Sequence, residues 1–158
     1  MGMTLAEASP TRFLNDLEMS AWRTFIETHY DLISAIEADL APTGLAIGDY
    51  QVLVTLSEAP EHRMRMCDLA AILQLTPSGA TRRLDGLVRS GWVERLNSTV
   101  DRRVMLAVLT PAGWDKLHEA LHPHVNSVRE HLIDLLDEDE LRAMASIFTK
   151  VRDALEAG

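Results

Sequence analysis

The stretch that most restricts the fold is one capped helix near the middle of the chain. Thr76 is a good helix N-cap, and Pro77 suits the first helical position because its missing N–H would have no partner there. At about 100° per residue, the apolar side chains share one stripe and the opposite side is polar, small and basic. The stripe comprises Ala80, Leu84, Leu87 and Val88, and the opposite side comprises Ser78, Gly79, Arg82, Gly86 and Arg89. A helix with a buried face and a basic face is therefore predicted over residues 76–91.

Short elements flank this helix on both sides. The sequence MRMCDLAAILQL, residues 64–75, predicts a preceding helix that is separated from it by only a tight turn. After Gly91, the branched residues of WVERL and RVMLAVL surround the turn-forming NSTVDR, which predicts a β-hairpin. Helix, tight turn, helix and hairpin form the layout of a winged helix-turn-helix, whose usual partner is DNA.

Longer amphipathic helices are predicted on both sides of this layout. They cover residues 17–40, 49–59, 111–135 and 137–157. Pro60 ends the second of them, Thr110 and Pro111 repeat the cap-and-proline start, and Pro123 is expected to kink the helix that follows. The fold class predicted is mainly α with a small β-hairpin wing.

Charge is unevenly distributed along the 158 residues. The formal net charge is -9, yet residues 61–103 contain eight Arg against five Asp and Glu, a local charge of +3. Because the Debye length is only about 8 Å at physiological salt, this basic segment can bind a polyanion despite the acidity elsewhere. In a winged helix-turn-helix, the start of the second helix meets base edges in the major groove, and hairpin arginines reach the minor groove or phosphates.

Several other classes of protein are disfavoured. The opening MGMTLAEASP has neither a basic n-region nor an apolar h-region, and no window approaches about 18 apolar residues, so a cytoplasmic protein without a membrane partner is expected. A single cysteine, Cys67, agrees with a reducing compartment. Because the chain has no Gly-rich phosphate loop, HExxH or nucleophile elbow, neither an enzyme nor a cofactor is expected.

The run from Tyr50 to Gly113 resembles the multiple-antibiotic-resistance regulator (MarR) family of bacterial transcription factors. The most specific match is D-R-R…L-T-x-x-G at Asp101, Arg102, Arg103, Leu109, Thr110 and Gly113. The resemblance implies a single domain over residues 1–158, with a winged helix-turn-helix lobe at 45–110 and dimerisation helices at 12–44 and 111–158. It also implies a homodimer on a pseudopalindromic operator in double-stranded DNA, often a repressor released by a small phenolic or other aromatic anion.

Seven residues are candidates for DNA contact on this basis. They are Thr76, Ser78, Gly79, Arg82, Arg83, Arg102 and Arg103. The alternative for Arg82 and Arg83 is a solvated helix face. Arg102 and Arg103 would point to opposite sides of a period-two strand, so one is expected to reach DNA while the other pairs with Asp101 to shape the turn. The resemblance favours Arg103 as the DNA contact.

An effector site is expected where the first, second and fifth helices converge, since domain junctions are preferred sites for partly apolar pockets. Its candidate residues are Trp22, His29, Tyr50 and, as a carboxylate partner at the start of the third helix, Arg65. In the alternative interpretation, Trp22 and His29 pack the dimer core and His29 is a buried core histidine.

Two further features leave alternatives open. His118 and His122 have the i, i+4 spacing that lets two imidazoles share an ion, and His124 and His131 follow, so the alternative function is a histidine-dependent metal-binding enzyme or metal sensor. No cysteine completes such a site, and no metal is assigned. Cys67 is interpreted as the N-cap of the third helix, either a substituted cap or a redox-sensitive thiolate favoured by the helix dipole.

Overall fold

The computed structural model describes residues 12–158 as a mainly helical chain with one small sheet. Its elements are α1 (Asp16–Leu40), α2 (Ile47–Glu58), β1 (Arg63–Arg65), α3 (Met66–Ile72), α4 (Pro77–Arg89), β2 (Val93–Asn97), β3 (Met105–Leu109), α5 (Pro111–His131) and α6 (Glu138–Glu156). Short 3-10 helices lie at Ala41–Thr43, Pro60–His62 and Ile133–Leu135. The predicted fold class, mainly α with a hairpin wing, is confirmed.

Polar caps fix where the main helices begin. The Thr76 hydroxyl accepts from the Gly79 N–H at 3.1 Å, and the Thr110 hydroxyl accepts from the Gly113 N–H at 3.0 Å. Both threonine caps, which were predicted from the Thr-Pro pairs, are therefore confirmed. Helix α5, which Thr110 caps, continues through Pro123 and ends at His131, four residues before the predicted end at 135.

The sheet contains a strand that the sequence prediction missed. Residues 63–65 pair antiparallel with β3, and the strand order is β1-β3-β2. A strand of three residues has no alternation pattern of its own, so only pairing with β3 reveals it. The third helix starts at Met66 with Arg65 as its N-cap, two residues before the start that a cap at Cys67 predicts. Cys67 is thus the second residue of α3 and not its cap, which corrects the earlier interpretation.

The core lies between α2, α3, α4, the sheet and the facing parts of α1 and α5. Its fully buried members include Leu40, Leu45, Leu53, Leu56, Leu69, Leu84, Leu87, Val93 and Ala107. Leu84 and Leu87 hold the inner face of α4 in this core, as the stripe predicted. Gly113 lets α5 pack closely on the wing, because a Cβ at this position would lie 2.1 Å from the carbonyl oxygen of Trp92.

The outer parts of α1, α5 and α6 are far less covered. Helix α6 buries no residue, although its Phe148 ring lies 5.6 Å from the ring of Phe25 on α1. His29 is exposed, so the expectation of a buried core histidine is wrong for the single chain. Within residues 12–158, no helix is long and apolar enough to cross a membrane.

Candidate nucleic-acid interface

The outer face of α4 presents an unpaired positive charge beside small polar groups. Thr76, Ser78 and Arg82 are exposed at the start of this helix, and Gly79 is half-buried. Arg82 forms no ion pair with any described residue, and the same holds for Arg89 at the end of α4. The guanidinium of Arg82 therefore has its donors available for an external acceptor such as a base edge or a phosphate.

Arg83 has different surroundings from Arg82. Its Nη1 lies 3.2 Å from Oδ1 of Asp49 in the first turn of α2, and the two side chains are 31% and 30% exposed. The sequence grouped Arg83 with the DNA contacts, whereas the structure directs its side chain toward another helix of the protein. The sequence alone could not identify Asp49 as its partner, because Asp49 is 34 residues away.

The tip of the wing carries Arg102 and Arg103 in the loop between β2 and β3, outside both strands. The expected alternation along a strand is therefore wrong for these two residues. The Asp101 carboxylate accepts from the backbone N–H of Arg103 at 2.9 Å and, among the described residues, forms no ion pair with either arginine. Asp101 thus shapes the turn through the backbone, and both guanidinium groups are exposed.

Arg95 joins the wing to α4, a role that the sequence analysis did not assign. Its Nη1 donates to Oδ1 of Asp85 at 2.7 Å, and its Nη2 donates to the carbonyl of Thr81 at 3.2 Å. Arg95 stands two residues after the buried Val93, on the same face of β2. A charged residue at an inward strand position needs a partner, and that signal could have indicated an ion pair.

The four effector candidates do not share one cavity within the single chain. Trp22 and His29 line adjoining apolar cavities of about 730 and 560 Å³ between α1 and α6. Tyr50 lines a separate cavity of about 360 Å³ between α2, α5 and the end of α3. Arg65 lines none of these and lies 3.5 Å from Asp68, so the expected convergence of all four residues is not found.

The Tyr50 cavity combines an aromatic wall with polar groups. The rings of Tyr50 and His124 lie 4.3 Å apart, and Gln51, Thr55 and Gln74 complete the polar lining. Burial raises the pKa of the Tyr50 phenol and lowers the pKa of His124, which favours the neutral form of each side chain. Nδ1 of His124 is buried without a hydrogen-bond partner among the described residues. His124 was missed as a cavity residue because its spacing suggested only a metal ligand.

The other histidines and the cysteine lie in unrelated surroundings. The His118 ring lies 5.4 Å from the ring of Trp114, and Nε2 of His131 lies 2.9 Å from the Asp39 carboxylate. His122 is exposed, and within the described ranges no three His, Cys, Asp or Glu side chains form a group that could hold a metal ion. The exposed Cys67 thiol lies 3.5 Å from the carboxylate of Asp68.

Comparison with known proteins places this arrangement among bacterial regulators. The sequence model of the MarR family matches residues 45–105. The chain is 29% identical over 128 residues to the HTH-type transcriptional repressor YetL of Bacillus subtilis, which covers 81% of this chain and 71% of YetL. It is similar to the crystal structure of AbsC, a MarR family transcriptional regulator from Streptomyces coelicolor, with 37% identity, a TM-score of 0.89, and coverage of 94% of this chain and 100% of AbsC. It also resembles Sco3205, a MarR family regulator from the same organism solved in complex with DNA, with 30% identity, a TM-score of 0.87 and 92% coverage of both chains.

Proposed function

The chain belongs to the MarR family, and from this membership we propose that it is a transcriptional repressor that binds operator DNA as a homodimer. The observation that carries the proposal is the set of exposed arginines on α4 and on the wing of an otherwise acidic protein. Arg82, Arg102 and Arg103 form no ion pair with the described residues. They provide the cationic surface that a polyanion requires.

The geometry of α4 suits the major groove of B-DNA. The groove is about 12 Å wide and admits one α-helix, whose first residues meet the base edges. We assign Ser78 and Arg82 to base edges and Thr76 and Gly79 to the adjacent backbone, since these residues occupy the first turns of α4. We assign Arg102 and Arg103, in the exposed wing loop, to phosphates or the minor groove. The related Sco3205 was solved in complex with DNA, which supports DNA as the partner.

The uncovered apolar side chains of α1, α5 and α6 support a homodimer. Exposed members include Leu17, Trp22, Phe25, Leu121, Val125, Ile147, Phe148, Val151 and Leu155. Contiguous apolar surface of this kind marks an interaction site, and a second copy of these helices would remove it from water. A two-fold dimer would present its two α4 helices about one turn of DNA, or roughly 10 bp, apart.

We further propose that a small effector, with an aromatic acid as the first candidate, releases the DNA. The Tyr50 cavity, of about 360 Å³, has the volume, aromatic wall and polar groups that a single-ring ligand needs. The groove of Trp22 and His29 is more apolar and is also where the second copy would pack. A ligand can release DNA only if it binds more tightly to a dimer whose α4 helices are wrongly spaced.

The decisive experiment is selection of duplexes from a random library by the full chain, followed by footprinting and a salt titration. We expect a pseudopalindromic site with half-site centres about 10 bp apart. The affinity should fall steeply as salt rises, because arginine–phosphate contacts release condensed counterions. Protection of a single asymmetric half-site would contradict the dimer, and binding that does not depend on salt would contradict the role of the arginines.

A further inference from the structure

Arg83 on α4 and Asp49 on α2 connect the helix proposed to read DNA with the rest of its lobe. The ion pair measures 3.2 Å, and both side chains are about two-thirds removed from solvent, at 31% and 30% exposure. It joins residues 34 positions apart in the sequence. Arg82 forms no ion pair with the described residues. Of two adjacent arginines of α4, one is therefore paired within the protein and the other is not.

Gly48 leaves the space that the guanidinium of Arg83 occupies. A Cβ built on Gly48 would lie 2.0 Å from Nη1 and 2.4 Å from Cζ of Arg83, so the guanidinium rests against the backbone of the first turn of α2. Any larger residue at position 48 would displace it. Glycine weakens a helix relative to alanine, and here it allows the close approach of a side chain from another helix.

We propose that Arg83 is a positioning residue: by binding Asp49 it fixes the rotation of α4 against α2 and thereby directs Arg82 and Ser78 at the base edges. This inference rests on the proposed DNA-binding function. The buried Leu84 and Leu87 set which face of α4 turns inward, but apolar contact is non-directional and restricts small rotations about the helix axis less than a polar contact does. A guanidinium–carboxylate contact is directional and does not. Arg82 and Arg83 are about 100° apart around the helix, so holding one in place sets the direction of the other.

The competing role is direct contact, in which Arg83 leaves Asp49 and binds a phosphate. The two roles predict opposite effects of Asp49→Asn on the affinity for DNA. If Arg83 contacts DNA, removing a nearby negative charge frees it and tightens binding to every sequence. If Arg83 positions α4, the same change weakens binding to the operator although the protein has become less acidic.

Three variants test this in the full chain, with fluorescein-labelled operator and random duplexes measured over a salt series. Gly48→Ala displaces the guanidinium without changing any charge, Asp49→Asn removes the negative charge of the carboxylate and Arg83→Gln removes the guanidinium and its positive charge. Each is expected to lower the ratio of operator to random-duplex affinity roughly tenfold, which is the effect of a misdirected base contact, with an unchanged salt slope. The Asp49→Asn/Arg83→Gln double variant should lose no more than either single variant, because both act through one contact.

Glu94→Gln is the matched control for charge, because Glu94 is exposed on β2 and has no ion-pair partner among the described residues. It should leave the ratio unchanged. Tighter binding of Asp49→Asn to both duplexes, or a salt slope lower by about one for Arg83→Gln, would overturn the positioning role. A ratio of operator to random-duplex affinity in Gly48→Ala that equals the wild-type ratio would also overturn the positioning role.

Urea unfolding without DNA separates this inference from the proposed function. The losses of stability in Asp49→Asn and Arg83→Gln should be less than additive in the double variant, and this coupling should disappear in a Gly48→Ala background. Additive losses of stability would contradict an energetic coupling between Arg83 and Asp49. A wild-type protein that binds no duplex at any salt concentration would instead overturn the proposed function.

Discussion

Arg95 on β2 and Asp85 on α4 form a hydrogen-bonded ion pair of 2.7 Å, which joins the wing directly to the helix beside it. A second donor of the same guanidinium binds the carbonyl of Thr81. Two bonds from one planar group fix both the distance and the angle between the two elements. The wing is therefore held by a specific polar contact in addition to the packing of the buried Val93.

Replacing Arg95 by methionine should loosen the wing while retaining most of the apolar stem. We expect a loss of about 1 kcal/mol in the free energy of unfolding, since a partly exposed pair is lost and Asp85 keeps access to water. Hydrogen exchange should accelerate in β2 and β3 more than in α5. Arg89→Met is the control, because Arg89 is exposed and forms no ion pair among the described residues, and its stability should be close to that of the wild type.

Substitutions at the arginines should separate base reading from anchoring. Arg82→Ala should cost roughly 1 to 3 kcal/mol in operator binding and relax base preference, because it removes a contact to a base edge. Arg102→Ala and Arg103→Ala should weaken binding to all duplexes more evenly and lower the salt slope by about one per lost phosphate contact. Fluorescence anisotropy with operator and random duplexes measures both effects. Equal losses on the two duplexes for Arg82→Ala would contradict its assignment as a base contact.

Asp39 should make the contact between α1 and α5 sensitive to acid. Its carboxylate accepts from the hydroxyl of Ser127 at 2.8 Å and is bound by Nε2 of His131 at 2.9 Å. These hydrogen bonds, chiefly that of Ser127, hold the pKa of Asp39 below its usual value of 3.8. A lowered pKa stabilises the fold at pH values above 3.8, and this contribution is lost as the pH falls through the lower, folded-state pKa.

The test compares Asp39→Asn with the wild type in urea unfolding at several pH values. The variant should be less stable at pH 7, and the difference should shrink steadily as the pH falls below about 4. Ser127→Ala should reproduce part of the loss, because it removes one of the two hydrogen bonds to the carboxylate. A difference that is the same at pH 7 and pH 3 would show that Asp39 stabilises the contact without its charge.

The features of this fold that depend on interactions between residues close in the sequence could be predicted, and those that depend on distant residues could not. The caps at Thr76 and Thr110 and the inner stripe of α4 depend on residues within one or two helical turns, so their pattern is readable in the sequence. The strand at 63–65 depends on pairing with β3, more than forty residues later, and leaves no local signal.

The same distinction applies to the candidate site. The basic outer face of α4 was predictable, and Arg82 lies exposed on it. The separate role of Arg83 depends on Asp49, and that of Arg95 depends on Asp85, both of which are contacts between elements. A count of charges cannot distinguish an arginine that is paired within the protein from one that is free for DNA. Side-chain partners must be known first.

Charge placed at the exposed apolar positions of α6 should separate the two copies of the proposed dimer. Val151→Asp and Leu155→Asp alter exposed apolar side chains, at 49% and 78% exposure, so the fold of the single chain should tolerate both changes. Each should raise the dimer dissociation constant at least tenfold, because a carboxylate would be buried in an apolar interface. Sedimentation over a range of concentrations measures this constant. Thr149→Asp is the control on an exposed polar position, and equal dissociation in all three variants would argue against this face as the interface.

The Tyr50 cavity makes a prediction about effector binding and pH. Burial favours the neutral form of His124 by lowering its pKa, whereas an aromatic carboxylate entering the cavity should raise that pKa and favour protonation of the ring. Binding that takes up a proton strengthens as the pH falls, and salicylate should therefore bind more tightly at pH 6 than at pH 7.5. Tyr50→Phe should weaken binding, and His124→Gln should remove its pH dependence. Tryptophan fluorescence should report the binding of salicylate, and a labelled operator should report the release of DNA in the same titration. If salicylate releases the operator from both variants as from the wild type, and only His29→Ala or Arg65→Ala alters the response, the effector binds outside this cavity.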